Sequence, residues 1–157
     1  MIKKIVLAGG CFWGMEDFMR QQKGVLRTTV GYTGGTVDNP TYKNHEGHAE
    51  AVEMEYDSEK TSYKNLLDFF FRVHNPTTLN QQGNDKGSSY RSAIFYGNSE
   101  EKSEAEYLIN IVNHSGRWSE PVVTTLEPLA KFWPAEDYHQ DYLQKNPGGY
   151  TCHAIYF

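Results

Sequence analysis

The chemistry-bearing stretch of this chain is Gly9-Gly10-Cys11-Phe12-Trp13-Gly14. The apolar run Ile5-Val6-Leu7-Ala8 before it predicts a buried strand, and Met15 to Lys23 after it reads as a helix stopped at Gly24. Between them the glycines allow a sharp backbone turn. Cys11 then falls in the first turn of a helix, where unpaired backbone N–H groups and the helix dipole favour an anion. A thiolate there is stabilised, which lowers the thiol pKa below its free value of about 8.5. The pattern makes Cys11 a candidate nucleophile flanked by two large rings, Phe12 and Trp13. A buried structural cysteine beside two core aromatics is the alternative.

Glu50 is the second candidate. In the alternating stretch Ala49 to Tyr56 it shares a face with Val52, Met54 and Tyr56, the apolar face of the strand. A carboxyl turned inward loses solvation, so its pKa rises and it can hold a proton near neutral pH, as a general acid must. A strand-end glutamate turned to solvent is the competing reading. Tyr42 and Tyr90 follow loops rich in glycine and proline and fit either core packing or a pocket lined with hydroxyls. Asp85, inside Gly83-Asn84-Asp85-Lys86-Gly87, fits a turn, and His139 reads as a residue on a helix face. Cys152 lies in Gly148-Gly149-Tyr150-Thr151-Cys152-His153, on a leash that a second, resolving thiol would need.

These residues need elements to position them. Val25 to Gly31 reads as a second strand, residues 31–48 as loop, Ala49 to Tyr56 as a third strand and Tyr63 to His74 as an amphipathic helix ended by Asn75-Pro76. Residues 76–89 are a polar loop. Tyr90 to Tyr96 is a strand, Asn98 with Glu101 caps a helix to about His114, Val122 to Leu126 is a further strand, and Ala135 to Lys145 a last helix. The first six elements run β-α-β-β-α-β. That order predicts an α+β fold, a ferredoxin-like split βαβ two-layer sandwich with extra C-terminal elements, in a single domain spanning 1–157.

Composition narrows the partners. A net charge of −5 argues against nucleic acid or an anionic membrane surface. No apolar run has the length of a membrane span and no signal segment opens the sequence, so the expected location is cytoplasmic. The two cysteines form no CxxC or Cys/His cluster, so neither zinc nor another metal is expected. In the cytosol a disulfide between them is expected to be transient and catalytic.

Several segments together resemble the A-type peptide methionine sulfoxide reductases. They are Gly10-Cys11-Phe12-Trp13-Gly14, Gly31-Tyr32-Thr33-Gly34-Gly35, Asn39-Pro40-Thr41-Tyr42 and Gly47-His48-Ala49-Glu50, then Gln82-Gly83-Asn84-Asp85, Tyr90-Arg91-Ser92, Ala135-Glu136-Asp137-Tyr138-His139-Gln140 and Asn146-Pro147-Gly148-Gly149-Tyr150. The resemblance covers nearly the whole chain in order. It implies an α+β sandwich that reduces methionine-S-sulfoxide, free or in proteins, with no cofactor. It further implies Cys11 as nucleophile, Phe12 and Trp13 around the substrate methyl, and Glu50 as acid. Tyr42 and Tyr90 would bond the sulfoxide oxygen, Asp85 would contact substrate or order the site, and Cys152 would resolve the oxidised Cys11. A Cys11–Cys152 disulfide would be reduced by a dithiol such as thioredoxin, and the chain is expected to be a monomer.

Two other functions fit part of the pattern. A cysteine hydrolase or acyl transferase would pair Cys11 with a histidine base, but leaves an inward carboxylic acid and a second cysteine without roles. An aromatic cage built on Phe12 and Trp13 would bind methylated ligands without consuming a thiol.

Overall fold

A computed structural model describes residues 1–151 and 153–157. The alternation visible in the sequence sets the layers. In β1 (Ile2–Gly9) and β3 (Ala49–Asp57), Ile5, Leu7, Val52, Met54 and Tyr56 point to one face, Val6, Ala8, Ala49 and Ala51 to the other. The first set packs under α1 (Phe12–Met19) and α2 (Tyr63–Val73), which contribute Phe12, Met15, Met19, Leu66, Leu67, Phe70 and Phe71. Ser62 starts α2 by accepting the Asn65 N–H at 3.1 Å. The opposite face is thinner and is covered by Leu129 and Phe132.

Strand β2 (Val25–Thr33) pairs antiparallel with β3, β3 with β1, and β1 with β6 (Ser92–Tyr96). The order β6-β1-β3-β2 with both neighbours of β3 antiparallel to it is the split βαβ arrangement that the element order predicts. Helix α3 (Ser99–His114), capped by Asn98 accepting from the Glu101 N–H at 2.8 Å, adds Ala105, Leu108 and Val112 to the helix-side core. Two short additions extend the sheet: β7 (Thr125–Pro128) runs parallel to β6, and β8 (Trp133–Pro134) antiparallel to β2. Between α2 and β6 a small hairpin forms from β4 (Gln81–Gln82) and β5 (Asp85–Lys86), followed by a 3-10 turn at Ser88–Tyr90. No helix among the described residues is long and apolar enough to cross a membrane.

Local boundaries differ from the sequence reading where tertiary bonds compete. Helix α1 begins at Phe12 rather than Met15, with Cys11 as its N-cap, and ends at Met19 rather than Lys23. Tyr90 lies in the 3-10 turn before its strand, and the strand expected over Val122 to Leu126 is shifted to Thr125–Pro128. The helix expected over Ala135 to Lys145 is two pieces, a 3-10 turn at Asp137–His139 and α4 (Tyr142–Lys145). The break has a cause. The Gln140 amide takes the place of a strand, accepting from Val30 N at 2.9 Å and donating to Val30 O at 2.9 Å. Asp141 then adopts φ 53° and gives its N–H to the buried Glu16 carboxylate at 2.9 Å.

Candidate active site

The sheet register brings the chemistry together. β1 ends at Gly9, Gly10 turns the chain at φ 96°, and Cys11 caps α1 with 4 % of its surface exposed. Gly10 permits a close approach as well, since a Cβ there would lie 2.7 Å from the Gln82 side chain. One strand over, Glu50 opens β3 opposite Tyr32 of β2, on the helix-side face that the alternation predicts. It is 1 % exposed, and its Oε1 accepts the Phe12 N–H at 3.1 Å, the amide directly after Cys11. Its Oε2 is buried without a hydrogen-bond partner among the described residues. Loss of solvation pushes the Glu50 carboxyl up to about 8, the Phe12 N–H opposing the shift and the Asp85 charge adding to it. At neutral pH this group is a carboxylic acid, not a carboxylate.

Tyr42 and Tyr90 arrive from the two loops, and their phenols lie near enough to influence each other. Burial first, then the neighbouring Glu50, raises both phenols; Tyr42 reaches about 12, so both keep their protons as donors. The charges felt by Tyr42 are those of Glu50, Cys11 and Asp85, which places all five groups around one locus. Asp85 also accepts a hydrogen bond from the Tyr150 hydroxyl at 3.3 Å, so the chain entering the Cys152 segment lies over the same locus. Cys152 itself lies outside the described residues.

The aromatic wall is built on His139, which the sequence reading placed on a helix face. Instead it is 1 % exposed, and its Nδ1 accepts the indole N–H of Trp13 at 3.0 Å. Its ring packs between Phe12 (5.3 Å), Tyr42 (4.5 Å) and Tyr138 (4.2 Å). Trp13 is half-buried, with Tyr142 stacked on it at 3.8 Å between ring centres. Phe12 is fully buried against Tyr32 and Tyr42 and forms the floor. Glu136, also unassigned from sequence, accepts from the Tyr32 hydroxyl at 2.9 Å and the Tyr42 N–H at 3.1 Å, anchoring the Tyr42 loop. Both residues lie in the Ala135–Gln140 segment that carries part of the resemblance, which is the signal that marked them. His153 donates Nε2–H to Gly9 O at 2.6 Å and fills the space over Gly14. Among the described residues no three His, Cys, Asp or Glu side chains gather as metal ligands would.

A cysteine on a helix start, a buried carboxylic acid one amide away and two phenol donors make a thiol centre that can attack a polar electrophile while protonating it. Residues 3–156 match the model of the peptide methionine sulfoxide reductase family. A peptide methionine sulfoxide reductase MsrA of Nocardia farcinica is 59% identical over 151 residues, covering 96% of this chain and 89% of that protein. The reduced form of Mxr1 from Saccharomyces cerevisiae superposes with a TM-score of 0.88 at 36% identity, over 98% of this chain and 92% of that one. Mxr1 in complex with Trx2 aligns at a TM-score of 0.66 and 27% identity, over 98% and 89%. The chain belongs to the peptide methionine sulfoxide reductase family.

Proposed function

We propose that this chain reduces methionine-S-sulfoxide, free or in proteins, to methionine, with Cys11 as nucleophile and Glu50 as acid. The observation that carries the reading is the Glu50 carboxyl, neutral at physiological pH and bonded to the amide beside Cys11. A sulfoxide sulfur becomes electrophilic as its oxygen takes a proton. Glu50 supplies that proton, Tyr42 and Tyr90 hydrogen-bond the oxygen, and the Cys11 thiolate attacks sulfur. The substrate S–O bond and the new bond between the two sulfurs both break and one oxygen ends on the Cys11 sulfur, so that Cys11 becomes a sulfenic acid, oxidised by two electrons, and methionine departs reduced by two. Cys152 then attacks the sulfenic sulfur, releasing water and forming the Cys11–Cys152 disulfide, which a thioredoxin-type dithiol reduces. Support for that reductant is the fold shared with Mxr1, which is known in complex with Trx2. Phe12 and Trp13 hold the substrate methyl, and Asp85 orders the rim. The chain acts as one catalytic domain over 1–157, in the cytoplasm, where such dithiols stay reduced.

The pocket separates the two sulfoxide epimers. With methyl on the rings and oxygen on the donors, the mirror image must leave a buried donor unpaired, at about 1–3 kcal/mol each. The test mixes reduced protein with racemic methionine sulfoxide, counts thiols lost per methionine formed, and resolves the residual substrate by chiral chromatography. Two thiols lost per methionine with only the S epimer consumed is the expected result. Consumption of R, or product without thiol loss, overturns the reading. An ester-hydrolysis assay run beside it separates the hydrolase alternative.

A further inference from the structure

His45 sits outside every role assigned above, in the loop His45-Glu46-Gly47-His48, yet it touches the residue before each of the two tyrosines. Its Nδ1 lies 2.8 Å from Thr41 O, so that nitrogen carries the proton and donates. Its Nε2 lies 2.7 Å from the Ser89 hydroxyl oxygen and shares a hydrogen bond with it. Thr41 precedes Tyr42, and Ser89 precedes Tyr90 in the 3-10 turn. The imidazole is stacked on Tyr32 with 4.7 Å between ring centres and 23° between planes. Tyr32 in turn bonds Glu136, which holds the Tyr42 N–H. Thr41 and Asn44 close the local turn by exchanging backbone hydrogen bonds at 3.0 and 3.1 Å. The Tyr42 loop is therefore held to Glu136 on one side and, through His45, to the Tyr90 turn on the other; Arg91 adds an exposed link between the same two segments, donating from Nη1 to Gly47 O at 3.4 Å and to Ser88 O at 2.9 Å.

We infer that His45 is a positioning residue for the oxygen-side donors: it fixes the Tyr42 loop and the Tyr90 turn to each other so that both hydroxyls meet the same substrate oxygen. The rings of Tyr42 and Tyr90 are carried on segments without long regular structure, one in an irregular loop and one in a three-residue turn. Such segments have little rigidity of their own. An imidazole with a hydrogen-bonding nitrogen on each side of its ring is suited to clamp a carbonyl on one side and a hydroxyl, which can donate or accept, on the other. The inference rests on Tyr42 and Tyr90 acting on the sulfoxide oxygen, and its test is arranged to separate the two.

His45→Phe keeps a ring to stack on Tyr32 but loses both hydrogen bonds. His45→Gln keeps a polar end within reach of Ser89, and Ser89→Ala removes one bond alone. Each is measured by the single-turnover rate of methionine formation at saturating sulfoxide, in the native background and in Tyr42→Phe/Tyr90→Phe. In the native background His45→Phe is expected to slow the step about tenfold, the equivalent of one or two net hydrogen bonds, with His45→Gln between it and wild type. Ser89→Ala is expected to slow it about threefold with the half-saturation constant unchanged. In the double tyrosine variant none of the three is expected to slow it further, because His45 acts through those hydroxyls. Equal slowing in both backgrounds, or a native rate in His45→Phe, overturns the inference. Should His45→Phe fail to fold, Ser89→Ala carries the same comparison. A double tyrosine variant as fast as wild type removes the tyrosines from the chemistry and with them what His45 would position; a slow double variant with a fast His45→Phe faults His45 alone.

Discussion

At the scale of single residues, Glu50 decides both activity and its cost. Its carboxyl carries a proton up to about pH 8 in the folded chain and releases it near its ordinary 4.5 when unfolded. As an acid it should therefore serve below pH 8, and the reduction rate should fall as pH rises through that value. Glu50→Gln should lower the single-turnover rate by two to four orders of magnitude, in line with general-acid contributions of about 10²–10⁴, and flatten that limb of the profile. Stability follows the opposite logic. Because the folded pKa is raised, the Glu50 contribution is fully present below pH 4.5 and is lost as pH rises from there to about 8. Glu50→Gln should accordingly gain melting temperature relative to wild type at pH 8 compared with pH 4, read by calorimetry at both. Cys11→Ser should abolish turnover, and Cys152→Ser should still give about one methionine per chain in a single turnover while failing to cycle with thioredoxin. Strand alternation was enough to turn Glu50 inward from sequence. His139 was not legible that way, since its partner Trp13 lies 126 positions away and no local period records that bond.

Elements position these residues through backbone contacts that sequence patterns describe unevenly. The strand ahead of Cys11 was legible as an unbroken run of four apolar residues, and α2 because its apolar face recurs at helical spacing over the whole element. The segment 135–145 was misread because Gln140 and Asp141 bond to β2 and to Glu16 of α1, and those two bonds outweigh helical continuity. The end of the chain is tied down by a similar device. His153, 6 % exposed, bonds Gly9 O and lies on the bare face of Gly14, where a Cβ would strike its ring and the Thr151 hydroxyl. Gly14→Ala improves helix propensity by about 1 kcal/mol but removes that seat. It should leave reduction in a single turnover near wild type and slow disulfide formation, measured as the lag between methionine release and loss of the second thiol. Burial holds the His153 imidazole below its usual pKa, so it is seated as the neutral form. The seating is fully present above about pH 6.5 and is lost as pH falls through the lowered value, so acid should lengthen the same lag in wild type.

For the molecule as a whole, the β-α-β-β-α-β order was readable, and the sheet it builds is what joins the nucleophile just beyond the end of β1 to the acid on β3. Since the pair exists only when that register is closed, activity and secondary structure should disappear together in urea; Phe70→Ala, in the fully buried helix-side core, should cost about 3–5 kcal/mol and shift both curves equally. What the sequence did not disclose was how the sheet stops, because a two-residue strand such as β8 carries no period to detect. Both borders end on proline: Pro128 closes β7 and Pro134 closes β8. A residue without an N–H offers no donor to an incoming strand, and borders of four and two residues give it little to lie along. An enzyme whose substrates are oxidised polypeptides works among loosened chains with exposed strands in search of a mate. Borders this blunt leave such a strand little to pair with.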